Sequence, residues 1–144
     1  MDTAMQTVAD ELQAPPSLDQ IYTLQRAIGE LPQVDLPLLH HFSKGVYARS
    51  IFIPKDTVAV GKMHGTEHLL IMARGDIDIM TSEGMQRLRG FNVINSLPGI
   101  KRAVRAYEDT ILTTIHLTDE TDLDKIEAEV IVPDQLTAIE GDAP

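Results

Sequence analysis

Val46-Tyr47-Ala48-Arg49-Ser50-Ile51-Phe52-Ile53-Pro54-Lys55-Asp56 is the stretch on which the fold turns. Tyr47, Arg49, Ile51 and Ile53 occupy alternate positions, so they share one face of an extended chain, and Pro54-Lys55-Asp56 then turns it. Further short runs follow: Thr57–Val60, Leu69–Met72, Asp76–Met80, Gln86–Arg89 and Ile111–Ile115. Gly61, Gly65, Gly75, Gly84, Gly90 and Pro98-Gly99 punctuate them, and Ser82-Glu83-Gly84 reads as a hairpin turn. Many short strands with glycine turns predict one small antiparallel β-sandwich or barrel, running from about Val46 to Leu117.

Upstream of Val46 the period is helical. Met5, Val8 and Leu12 recur at helical spacing, and Ala14-Pro15-Pro16 interrupts them. Ser17 with Gln20 has the spacing of a capping box, and Leu18, Ile21, Leu24 and Ile28 follow roughly on one face until Gly29 and Pro32. This stripe is too short to stand alone, so it must cover a sheet or meet a partner subunit. Downstream, Thr118 or Thr121 is placed to cap a helix carrying Leu123, Ile126, Glu127 and Val130, which Pro133 ends. The resulting organisation is a helical arm over 1–40, a barrel over 41–118, and a helix with a mobile acidic tail over 119–144.

The chain has 144 residues, 43% apolar and 24% charged, which suits one ordinary globular domain. No apolar run is long enough for a bilayer helix, and Met1-Asp2-Thr3-Ala4-Met5 is not a secretory signal. Cysteine is absent, which excludes disulfides, thiolate metal sites and a cysteine nucleophile. A cytoplasmic location is the expectation. The formal net charge of −10 argues against general nucleic-acid binding. Acidic residues crowd the segment after Leu117, where they suit a helix N-terminus and a solvated tail, whereas residues 61–107 are net basic.

That basic middle holds the chemistry. Pro54-Lys55-Asp56, then Gly61-Lys62-Met63-His64-Gly65-Thr66-Glu67-His68, then Gly75 resembles the first conserved motif of the cupin superfamily. Gly90 and Leu97-Pro98-Gly99-Ile100-Lys101-Arg102 resemble the second. The resemblance implies a mainly β, jelly-roll barrel. In metal-binding cupins the two motifs supply three histidines and a glutamate; the matching places here are held by Lys62, His64, His68 and Arg102. Segments around Gly45, Gly61, Pro98 and His116 also resemble small cupin-like proteins of tailed bacteriophages, which implies a viral origin and the host cytoplasm.

On strands, Lys62 and His64 point the same way, into the lumen of a small barrel, where His68 and Arg102 join them. Buried cations need an anion or an internal carboxylate, and Glu67 is the nearest in sequence, although strand alternation points it away from His68. Lys62, His64, His68 and Arg102 are therefore expected to bind a small anion such as a nucleotide, sugar phosphate or carboxylate; a phage protein of this kind could sequester a host signalling nucleotide. The alternative is a metal-dependent oxygenase or isomerase with iron, zinc, nickel or manganese on His64, His68 and His116. A virion structural or assembly role is the third reading. Phosphate-loop, nucleophile-elbow and His-Glu-x-x-His patterns are absent. A homo-oligomer, most simply a two-fold dimer, is expected because short barrels leave sheet edges and an apolar outer face.

Overall fold

The structure, a computed structural model, describes residues 16–133 and 136–140. The alternation beginning at Val46 is realised as strands, in the order β1 (Leu38–Ser43), β2 (Val46–Ile53), β3 (Thr57–Val60), β4 (His68–Arg74) and β5 (Asp76–Thr81). Then come β6 (Gly84–Arg89), β7 (Asn92–Ser96), β8 (Ala103–Ala106), β9 (Thr110–Leu117) and β10 (Thr137–Glu140). Among the described residues two helices, α1 (Leu18–Gly29) and α2 (Leu123–Val130), flank the main strand run. The strands pair antiparallel in two sheets: a front sheet ordered β1-β2-β9-β4-β7 and a back sheet ordered β10-β3-β8-β5-β6. The fold is thus mainly β, with the two sheets closing a barrel.

Between the sheets lies the core. Ile53, Leu70, Met72 and Leu112 from the front meet Ile77, Ile79, Val104 and Ala106 from the back. Each comes from alternate positions of its strand, which is why the opposite set must face outward. Behind the back sheet, α1 lays Ile21 and Ile28 on Val58, Val60, Ala103 and Ile139. The capping box forms: Gln20 N donates to Ser17 Oγ, and Ser17 N donates to Gln20 Oε1. The arm therefore finds its apolar partner in its own back sheet. The expected stripe of Met5, Val8 and Leu12 lies outside the described residues.

Two boundaries differ from the sequence reading. The barrel begins at Leu38 rather than near Val46, because Lys44-Gly45 makes a two-residue hairpin that zips Leu38–Ser43 onto β2. Leu38-Leu39-His40-His41 does not alternate in hydrophobicity, so the strand is silent in the pattern. Residues 137–140 are not a tail: β10 pairs with β3 and buries Thr137, Ala138 and Ile139. The N-cap of α2 is Asp122, whose carboxylate accepts from the backbone of Asp124 and Lys125; neither Thr118 nor Thr121 has that role.

Gly75 makes the corner where the chain leaves β4 in the front sheet for β5 in the back. Its φ is +140°, and a Cβ there would sit 2.3 Å from Thr110 Oγ1 and 2.8 Å from Thr110 Cβ. Thr110 is fully buried and cannot move aside. Gly75→Ala is expected to destabilise the protein by about 3 kcal/mol, combining backbone strain with overpacking. Urea denaturation checks this; a midpoint within error of the parent would contradict it.

Candidate functional site

One rung of the front sheet organises the mouth of the barrel. Tyr47 pairs with His116, His68 pairs with Ser96, and Leu69 pairs with Ile115, so His116 and His68 stand side by side on β9 and β4. The next rung inward carries Arg49, Thr114 and Leu70. Below that come Ile51, Ile53 and Leu112, which floor the cavity. The volume enclosed is about 230 Å³, cationic and imidazole-bearing near the mouth and apolar at depth.

His64 arrives from the loop after β3. That loop is held by the segment following α2: Gly65 N donates to Val130 O at 2.8 Å, and Val132 N donates to Met63 O at 3.0 Å. Gly99 N donates to the His64 carbonyl from a third direction. Helix α2 itself is anchored by Ile126 and Val130 against Tyr47. The C-terminal helix thus fixes a residue of the lumen.

The three imidazoles converge. Ring centroids are 4.4 Å apart for His64 and His68, 4.6 Å for His68 and His116, and 5.3 Å for His64 and His116. One ring nitrogen from each lies within 4.8 Å of the others. His68 Nδ1 is 3.0 Å from the Thr66 carbonyl, which only accepts, so Nδ1 carries the hydrogen and Nε2 keeps a lone pair. His116 Nε2 is 3.0 Å from Thr114 Oγ1. The opposite nitrogens, His68 Nε2 and His116 Nδ1, are buried with no hydrogen-bond partner among the described residues.

Electrostatics keep these rings neutral. Burial pushes His64 down to about 2, reinforced by His68, Arg49, His116 and Arg102. Burial lowers His116 to about 4, with His68 and Arg49 adding to it. His68 is also lowered, by burial first and then by Arg102 and Arg49, against the opposing hydrogen bond to Thr66.

The cations named from the sequence are in place but engaged. Lys62 lines the cavity and pairs with Glu127 of α2. Arg102 donates to the Met80 carbonyl and to Ser96 Oγ, both at 2.5 Å. Burial lowers Arg102 to about 10, so it remains charged at neutral pH. Its neighbour Lys101 points the other way, beneath α1, with its ammonium 5.2 Å from the Tyr22 ring centroid. The carboxylate that meets Lys62 is therefore Glu127 of α2, with its side chain 45% exposed; Glu67 instead accepts from Asn95 at the surface. Arg49 is the residue the motif reading passed over. Its Nη2 lies 3.4 Å from His64 Nε2, and its alternation with Ile51 and Ile53 was the available signal.

No family model matches the chain, and no curated protein matches it. Solved structures do. The cupin domain of Schizosaccharomyces pombe Cnp3 superposes with a TM-score of 0.50 at 14% identity, over 71% of this chain and 71% of that one. Ectoine synthase from P. lautus gives 0.52 at 12% identity, over 84% and 88% respectively. KdgF from Halomonas sp. gives 0.50 at 12%, over 65% and 91%. The chain has the cupin fold. At these identities the likeness extends to the barrel and not to an activity, since one fold hosts many chemistries. In this cupin barrel the histidine cluster sits at the mouth, above the apolar floor.

Proposed function

We propose that this cupin holds one divalent transition ion on His64, His68 and His116, and that its lumen takes a small organic anion with an apolar body. The observation that carries the reading is the pair of buried, unpartnered nitrogens, His68 Nε2 and His116 Nδ1, facing a third imidazole. Leaving a buried polar atom unpaired costs roughly 1–3 kcal/mol, and one ion satisfies both of these nitrogens with His64 as the third donor. Imidazole suits iron, zinc and nickel, whereas manganese favours oxygen donors, so the three-histidine set fits the first three better than the last. When bound, the ion supplies a Lewis acid with coordination positions left open for a substrate.

The chain's own residues do the rest. The Thr66 carbonyl and the Thr114 hydroxyl hold His68 and His116 in orientation, as outer partners of ligating histidines do. Arg49 and Arg102 place positive charge beside the cluster, where a carboxylate or phosphate of the ligand is stabilised. Ile51, Ile53, Leu70 and Leu112 receive apolar carbon and exclude water. A compact carboxylate or similar anion fits this lining better than a nucleotide base, which would bring polar edges against the apolar floor. The arrangement suits a metal-dependent enzyme.

A second reading, an anion held without metal, is favoured by the same two arginines. The two readings differ in what the stripped protein binds. Because burial keeps the imidazoles neutral, zinc should bind at pH 8 and pH 6 alike and weaken only as pH falls toward the lowered histidine values. An anion held by the two guanidinium groups should bind without zinc. Isothermal titration of chelator-stripped protein with zinc, and separately with inorganic phosphate, distinguishes them. Absence of zinc binding at pH 8 would overturn the metal reading.

A further inference from the structure

We infer that the lumen takes an unbranched aliphatic carboxylate whose alkyl chain leaves the barrel sideways, between Leu38 and Leu136. This rests on the lumen anion proposed above and not on the metal. The histidine end of the cavity is covered, because His68 and His116 are buried and the segment after α2 holds the His64 loop. Among the residues that line the cavity, the exposed ones are Leu38, at 41%, and Leu136, at 37%. Both belong to sheet edges: β1 ends the front sheet and β10 ends the back sheet. Leu38 pairs with Ile51 and so shares the lumen face of β2. Ala138 pairs with Ala59, and Leu136, two residues earlier, lies on that same face. A single extended segment crosses from one edge to the other. Val34 N donates to Ala138 O at 2.9 Å, and Phe52 N donates to Pro37 O at 3.0 Å. Leu36, between those two anchors, also lines the cavity.

The chemistry along the cavity fits one ligand class. Cations stand at the covered end and leucines at the open seam, which is the reverse of a site that draws a polar ligand in from water. A guanidinium has five N–H donors in a fork that matches a carboxylate, and the bonds of Arg102 to Met80 and Ser96 leave donors over. Arg49 lines the same end from β2. A sugar or a nucleotide would press hydroxyls or ring nitrogens against leucine and isoleucine, where no partner meets them. Methylenes lose nothing there and gain by leaving water. A dry cavity of about 150 Å³ holds benzene, so about 230 Å³ takes a carboxylate of about eight carbons. A longer chain continues through the seam.

Isothermal titration of the full chain, zinc-loaded and chelator-stripped, with sodium butanoate, hexanoate, octanoate and decanoate tests this. Affinity should rise about 4-fold for each added methylene up to octanoate, at one site per chain. Decanoate should bind at least as tightly as octanoate, because its end passes the seam. Octanol should bind at least about 10-fold more weakly than octanoate, since it lacks the charge that the guanidiniums hold. Leu38→Gln and Leu136→Gln should each lower the affinity for decanoate about 10-fold relative to butanoate. Leu39→Gln should not, because Leu39 pairs with Ser50 and turns outward. If one of the two seam variants fails to fold, the other decides. Equal affinity for butanoate and octanoate, loss of binding at decanoate, or seam variants indistinguishable from Leu39→Gln would overturn the proposal. The same chain-length series in protein that binds no zinc would support it and overturn the metal reading alone.

Discussion

Chelator-stripped His68→Ala protein is expected to bind zinc at least about 100-fold more weakly than the parent, measured by competition with a chromophoric chelator. Disturbing only an outer partner of a metal ligand typically costs 10–100-fold, and here a ligand itself is removed. His68 is the sharpest choice because its tautomer is set: the Thr66 carbonyl takes the Nδ1 hydrogen and leaves Nε2 aimed at the cluster. His41→Ala is the matched control, since His41 lies on the outer face and touches Ser50 rather than the lumen. Equal zinc affinity in His68→Ala and His41→Ala would remove His68 from the site.

The burial that clears those nitrogens also makes the metal-free protein acid-sensitive. His64 and His116 titrate at about 2 and about 4 in the fold, against 6.5 for an ordinary histidine, and His68 is shifted the same way. Between pH 6.5 and the lowered values the unfolded chain binds protons that the folded one does not. Stability therefore falls as pH drops through 6.5, by about 1.4 kcal/mol per pH unit for each such histidine once well below that point. At pH 5 the loss approaches about 2 kcal/mol for each of His64 and His116. Glu127, lowered by its hydrogen bond from Lys62, adds its own loss only below the carboxylate range. Thermal melting of the metal-free protein at pH 7.5 and pH 5.0 should show a drop of several degrees, and saturating zinc should raise the midpoint at both values. Identical midpoints at the two pH values would mean that the imidazoles are solvated.

The period change at Val46 made the strand region legible, because one residue per step alternates between a packed lumen and the outside. Strands that lack such a contrast stayed hidden. β1 is exposed along its whole length, and β10 is a four-residue strip whose burial comes from β3. The lumen positions 62, 64, 68 and 102 could be named because glycines and prolines mark the turns that deliver them. Arg49 and Glu127 could not be tied to them, since their partners His64 and Lys62 lie 15 and 65 residues away. Lys62 meets its carboxylate only once α2 docks on the barrel, and strand alternation already turned Glu67, the nearest in sequence, away from His68.

The most direct measurement is the zinc K-edge X-ray absorption spectrum of protein loaded with one equivalent of zinc at pH 8. Three imidazoles on one ion predict nitrogen scatterers at about 2.0–2.1 Å, with the outer-shell pattern of about three histidine rings per zinc. His116→Ala protein should lose one ring from that pattern. A spectrum dominated by oxygen ligands, or one unchanged by His116→Ala, would contradict a metal centre on His64, His68 and His116.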